Sequence, residues 1–222
     1  MDIARFIDHT LLKPDATEAD IAQLCDEARE FGFFSVCVNS SWVAGAAERL
    51  RGSGVAVAAV TGFPLGAMEA RAKAFETGRA VGLGASEIDT VIAVGRLKSG
   101  DLAGVLDDLR GVVRAADGAT VKAIIETSLL DDWEKRAACQ LALDAGAGFV
   151  KTSTGFGGGG ATVGDVRLMA NSVGGRCLVK ASGGIRDAAA AVAMIRAGAA
   201  RIGTSNGIAI IRDAADFSDA QL

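Results

Sequence analysis

One histidine, two prolines and no tyrosine set the first limits on this chain. With His9 as the sole imidazole, a zinc site built on several histidine ligands is excluded. A Ser-His-Asp triad would have to use His9, and the GxSxG turn that exposes a nucleophilic serine is absent. The four cysteines, Cys25, Cys37, Cys139 and Cys177, form no CxxC pair and no metal-type spacing, so they read as free buried thiols in a reducing compartment. No Pro/Ser-rich stretch divides the chain, and one domain is expected over 1–222, ending in a polar, mobile tail from about 213. Apolar runs such as 55–60 are far shorter than the roughly 20 residues a bilayer requires. The first residues lack the apolar core of a signal peptide, and a cytoplasmic protein is expected. Charge is also missing in blocks. The net charge is -4 with acids and bases interspersed, so neither a nucleic-acid face nor a polybasic membrane patch is expected. An anionic substrate would have to be met by local groups.

What the chain does have is 222 residues, half of them apolar, and 29 glycines. Short β-branched runs at 6–9, 34–38, 55–60, 87–92, 121–126, 149–152, 178–181 and 201–203 read as strands. Between them, segments of helical period lie at 18–31, 42–50, 67–83, 102–115, 132–145, 162–171 and 188–197, several followed by a capping glycine such as Gly32, Gly146 or Gly198. Strict alternation of strand and helix means a parallel sheet, and eight units predict a closed (β/α)8 TIM barrel of the α/β class. In that fold, chemistry sits where strands end and the following loops begin.

Lysine is scarce, seven against sixteen arginines, yet Lys122, Lys151 and Lys180 all fall inside predicted strands. A bare ammonium is expensive to bury, so these positions ask for an explanation. Lys151 and Lys180 lie on consecutive strands and can be neighbours at one barrel end. A lysine attacks a carbonyl only as the neutral amine. A second cation roughly 5 Å away, at an effective dielectric of about 20, costs the charged form about 3 kcal/mol, and desolvation acts in the same direction. A paired-lysine site is thus a metal-free route to an amine nucleophile. Asp89, inside another strand, supplies an acid able to shuttle protons. The same three residues would also serve as a buried ion-pair cluster that only tunes the fold. Lys122 and Glu126 share a strand face by the two-residue period and are expected to pair.

Gly155-Phe156-Gly157-Gly158-Gly159-Gly160 matches GxGxxG, but no acid occurs between Asp165 and Asp187, where a dinucleotide fold needs one. A flexible loop beside Lys151 is expected instead. Ser182-Gly183-Gly184 and Gly203-Thr204-Ser205-Asn206 follow the last two predicted strands, the usual phosphate site of a barrel, with a short helix at 208–211. Two ordinary turns would leave the same sequence.

Several segments together resemble the deoxyribose-phosphate aldolase family of class I aldolases: Ile7-Asp8-His9-Thr10-Leu11-Leu12-Lys13-Pro14, Val36-Cys37-Val38-Asn39, Gly62-Phe63-Pro64-Leu65-Gly66, Glu87-Ile88-Asp89, Ile124-Ile125-Glu126-Thr127, Val150-Lys151-Thr152-Ser153-Thr154-Gly155-Phe156 and Val179-Lys180-Ala181-Ser182-Gly183-Gly184-Ile185-Arg186. The resemblance spans nearly the whole chain, and the two lysine segments carry most of its specificity. It implies reversible cleavage of 2-deoxy-D-ribose 5-phosphate to D-glyceraldehyde 3-phosphate and acetaldehyde. In it Lys151 forms the Schiff base, Lys180 perturbs it and Asp89 relays protons. It places Asp8, Thr10, Cys37 and Thr154 along the sugar, with Gly183, Gly184, Thr204 and Ser205 at the phosphate. It implies no cofactor and no metal, and a homo-oligomer, dimer or tetramer. Ser40, Ala93 and Ser128 depart from the residues common in the family. The tail tyrosine of some relatives has no counterpart here.

Overall fold

The computed structural model describes residues 2–215. Among them, eight strands close into a parallel barrel in chain order: β1 (Ile7–Leu11), β2 (Ser35–Asn39), β3 (Ala56–Thr61), β4 (Glu87–Val91), β5 (Thr120–Ile124), β6 (Phe149–Lys151), β7 (Leu178–Ser182) and β8 (Arg201–Thr204). Strand β8 returns to β1 with Ile7 opposite Ile202 and Asp8 opposite Gly203. The expected (β/α)8 barrel is the fold, and each expected strand is present with its ends moved by one or two residues.

Helices α1 (Glu18–Glu30), α2 (Val43–Arg49), α3 (Ala70–Gly82), α4 (Val94–Lys98), α5 (Leu102–Ala115), α6 (Asp132–Ala145), α7 (Val163–Val173), α8 (Ala188–Arg196) and α9 (Gly207–Ala214) surround it. Local sequence explains where they begin and end. Thr17 and Asp20 close a capping box on α1, and Asp131 and Glu134 do the same on α6. Ile21, Leu24, Cys25 and Ala28 form the buried stripe of α1 at helical spacing. Helix α6 stops at Gly146, whose φ of 87° suits glycine alone among common residues. Helix α3 starts at Ala70 rather than 67, because the Glu69 side chain caps it by accepting from the Ala72 N–H. Helix α4 was not expected; five residues that bury only Leu97 leave no periodic signal.

Period-two alternation divides each strand between two environments. Outward residues such as Val36, Ile88, Val121, Val150, Val179 and Ile202 join the large apolar core under the helices. Inside the barrel, Leu12, Cys37, Ala58 and Val60 form a small separate apolar cluster on the β1–β3 side. The charged residues of the interior come from β1 and β4–β8. Helix α9 continues through Asp213, whose carboxylate accepts from the Ala188 N–H at 2.8 Å and so caps α8. The remainder of the expected polar tail, 216–222, lies outside the described residues. Among the described residues no helix is long and apolar enough to cross a membrane.

Candidate active site

The charged half of the barrel is one connected network. Lys151, the last residue of β6, donates to Asp89 Oδ2 at 2.7 Å. Lys180, from β7, donates to that same oxygen at 2.7 Å and to Asp8 Oδ2 at 2.5 Å. Lys122, from β5, takes the other Asp89 oxygen at 2.8 Å and Glu87 Oε2 at 2.6 Å. Arg201, at the start of β8, reaches Asp8 Oδ1 at 2.7 Å and both oxygens of Glu87 at 3.1 and 3.3 Å. Its guanidinium lies 3.4 Å from the ring centre of Phe34. Ser35 donates its hydroxyl to Asp8 at 2.6 Å. All seven ionisable groups are buried. Charges this deep survive only because each meets opposite charge.

The network separates the two lysines electrically. Burial lowers the pKa of Lys151; the Asp89 carboxylate opposes this and the Lys180 ammonium adds to it, leaving Lys151 below the usual lysine range. Burial acts on Lys180 in the same sense, but the Asp8 and Asp89 carboxylates outweigh it and hold Lys180 far above that range. Asp89 would be raised by burial, yet Lys122, Lys151 and Lys180 keep it well below the normal carboxylate range. One lysine is therefore disposed to lose its proton and its neighbour to keep it. Desolvation leads the shift at Lys151 and the neighbouring cation assists it, reversing the weight expected from sequence.

Lys151 lines a cavity of about 640 Å³ at the C-terminal mouth of the barrel. Of the other expected site residues, Thr10, Thr154, Gly183, Gly184, Thr204 and Ser205 also line it. Asp8, Asp89 and Lys180 lie beneath, fully buried, and Cys37 is buried beside them with its thiol pushed up in pKa by desolvation. The Thr204 hydroxyl donates to Ile185 O at 2.8 Å and accepts from the Asn206 N–H at 2.9 Å, which fixes the turn before α9. Gly183 and Gly184 have φ of 89° and 78°.

One expectation is corrected. Lys122 and Glu126 do not pair. Strand β5 ends at Ile124, and Glu126 sits at φ 54°, a left-handed conformation that breaks the two-residue period and turns its carboxylate away. That carboxylate accepts from the Thr154 N–H at 3.2 Å and from the Thr154 hydroxyl. The glycine run 155–160 lies beside Lys151 without regular secondary structure, exposed at 155–158, and three of its glycines face close neighbours. A Cβ on Gly157 would lie 2.8 Å from Glu126 Cδ, one on Gly159 2.4 Å from Ser128 Cβ, and one on Gly160 2.4 Å from Gly183 O. At Gly157, Gly159 and Gly160 other groups approach closely, whereas Gly155 and Gly158 have φ of 86° and 80°.

Sequence reasoning missed Glu87 and Arg201 in the network, and Lys13, Phe156 and Arg186 around the cavity. A signal existed for Glu87, which is two residues before Asp89 and so on its face. Lys13 and Arg186 bring positive charge to the cavity mouth, away from the network. Among the described residues no group of three or more His, Cys, Asp and Glu side chains is arranged to hold a metal ion.

The chain is similar to known proteins over nearly its whole length. Residues 3–215 match the family described as DeoC/LacD family aldolase. The chain is 60% identical over 212 residues, covering 96% of each sequence, to the deoxyribose-phosphate aldolase of Bdellovibrio bacteriovorus. It is 59% identical over 211 residues, 95% of each, to deoxyribose-phosphate aldolase 1 of Bacillus licheniformis. Among solved structures, the tetrameric deoxyribose phosphate aldolase of Aeropyrum pernix superposes with a TM-score of 0.90 at 34% identity, covering 96% of this chain and 91% of that one.

Proposed function

The chain belongs to the DeoC/LacD family of aldolases, and from that premise we propose that it cleaves 2-deoxy-D-ribose 5-phosphate reversibly to D-glyceraldehyde 3-phosphate and acetaldehyde through an imine on Lys151. The observation that carries this reading is the placement of Lys151: of the four cations in the interior network, it is the one that lines the cavity.

The geometry supports the following steps. The neutral Lys151 amine attacks the C1 aldehyde of the open-chain sugar. Asp89 and Lys180, joined to Lys151 through one shared oxygen, move the protons that turn the carbinolamine into an imine and release water. The protonated imine draws electrons as the C2–C3 bond breaks and the C3 hydroxyl loses its proton. The three-carbon aldehyde phosphate leaves, and a two-carbon enamine remains on the lysine. Protonation at C2 and hydrolysis release acetaldehyde and the free amine. Thr10, Thr154 and the buried Asp8 and Cys37 shape the sugar end. Glu126 acts through Thr154, which it holds in place. The phosphate lies against Gly183, Gly184, Thr204 and Ser205 at the start of α9, with Lys13 and Arg186 supplying the local positive charge that a net-acidic protein must provide. Binding the phosphate orients the reacting carbons over Lys151. The reading carries with it a homo-oligomer in the cytoplasm.

Reductive trapping tests it. Acetaldehyde and borohydride should leave a two-carbon adduct on the peptide containing Lys151, absent in Lys151→Ala. Turnover of deoxyribose 5-phosphate should exceed that of longer ketose phosphates. An adduct on another lysine, or none, overturns the assignment.

A further inference from the structure

Counting the buried charges gives a result that no single contact shows. Among the described residues the barrel interior holds four cations, Lys122, Lys151, Lys180 and Arg201, and three carboxylates, Asp8, Glu87 and Asp89. Strands β2 and β3 contribute Ser35, Cys37, Ala58 and Val60, all uncharged; burial keeps the Cys37 thiol protonated. Lys13 and Arg186 stand at the cavity mouth, in contact with solvent, and Glu126 is engaged with Thr154. With every group ionised the interior carries one surplus positive charge. With one lysine neutral it carries none.

We propose that Glu87 and Arg201 are positioning residues that hold the interior at this count and so determine that Lys151 is the amine left uncharged. They are the first residues of β4 and β8, at the opposite end of the barrel from the cavity, and they are out of reach of any substrate there. Arg201 neutralises one oxygen of Asp8 and both of Glu87. Glu87 in turn engages Lys122. Lys122 and Lys180 each meet two carboxylates within 2.8 Å, and Arg201 also meets two. Lys151 meets one, and shares that oxygen with Lys180. Surplus positive charge in a low-dielectric interior is relieved most easily at the least paired cation. The proton leaves to solvent through the cavity, which Lys151 alone of the four lines. The lower pKa direction of Lys151 and the raised one of Lys122 agree with this order. A floor of two ionised groups thereby sets the reactivity of an amine neither touches.

The inference rests on Lys151 being the imine-forming lysine, and its test separates the two ideas. The readout is the pH dependence of trapping at the Lys151 peptide with acetaldehyde and cyanoborohydride, taken relative to wild type. A unit charge roughly 10 Å away at an effective dielectric of about 20 moves a midpoint by about one pH unit. Glu87→Gln leaves more surplus positive charge and should lower the midpoint by about that much. Arg201→Met removes the surplus, so that every lysine can stay charged, and should raise it similarly. The double variant restores the count and should return to the wild-type midpoint, while Arg201→Lys, which keeps the charge, should not move it. Opposite shifts are not expected from mere loss of packing. Glu87→Gln is isosteric and carries the test if Arg201→Met does not fold. Midpoints that coincide with wild type while Lys151 still traps overturn the charge-count inference. Failure of wild type to trap at Lys151 overturns the proposed function instead.

Discussion

Lys151 and Lys180 donate to one and the same oxygen, Asp89 Oδ2, each at 2.7 Å. Their nitrogens therefore cannot be farther apart than twice that distance. Two ammonium groups sharing a single carboxylate oxygen repel each other at a range where burial gives little screening. Lys180 has Asp8 as a further partner and Lys151 has none. The asymmetry between two otherwise similar residues comes from that one additional carboxylate.

Replacing Lys180 by leucine should therefore shift the pH–rate profile before it weakens binding. Without the neighbouring cation, three cations face three carboxylates, no surplus positive charge remains to be relieved, and Lys151 holds its proton to higher pH. The acidic limb of kcat/KM in Lys180→Leu should move toward alkaline pH by one unit or more. A profile superimposable on wild type, with only a raised KM, would count against this role.

Stability should distinguish the lysines in the opposite way from activity. Removing Lys122 leaves Glu87 and Asp89 short of a buried partner, and Lys122→Met should cost about 3 to 5 kcal/mol in urea unfolding at pH 7. Lys151→Met removes the surplus charge, and Asp89 retains Lys122 and Lys180. That variant should be inactive yet unfold no more easily than wild type, consistent with a reactive group kept at some cost to the fold. Equal destabilisation by both substitutions would contradict this difference in pairing.

The sole histidine gives a separate pH dependence. His9 is buried, its Nε2 2.7 Å from Glu27 Oε2. Burial lowers its pKa by more than Glu27 raises it. As pH falls below about 6.5, the unfolded chain binds a proton that the folded chain resists, so stability falls with pH in that window. Stability should therefore fall between pH 7 and 5.5. His9→Gln should abolish that part of the slope, measured by urea unfolding at the two pH values; an unchanged slope would mean that His9 titrates normally.

The glycine run offers a test of the phosphate end. A Cβ on Gly160 would lie 2.4 Å from Gly183 O and 2.8 Å from Gly183 C, both backbone atoms that cannot swing aside. Gly160→Ala should displace the 183–184 turn and raise KM for the phosphorylated sugar about tenfold, equivalent to losing one charge-assisted hydrogen bond. Turnover of unphosphorylated 2-deoxyribose should change little. Equal losses on both substrates would place the damage at Lys151 rather than at the phosphate turn.

Local sequence already determined much of this protein. Alternating strand and helix patterns gave the closed barrel, because each β-branched run and each periodic stripe is a short-range property. Lysines within strands marked Lys151 and Lys180, since an ammonium in such a place demands partners. Glu126 shows the limit of that reasoning. Its face was inferred from a strand that stops at Ile124, and a left-handed residue sends its carboxylate to Thr154 instead.

Tertiary closure alone decided which charges meet. Asp8, Asp89 and Lys180 come from β1, β4 and β7, far apart along the chain, and converge only because the sheet closes on itself. Nothing local announces that two lysines share one oxygen, or that Arg201 at the start of β8 is buried rather than solvated. Which amine gives up its proton depends on the sum of charges in a space without water, and a sum over distant residues has no signature at any one of them.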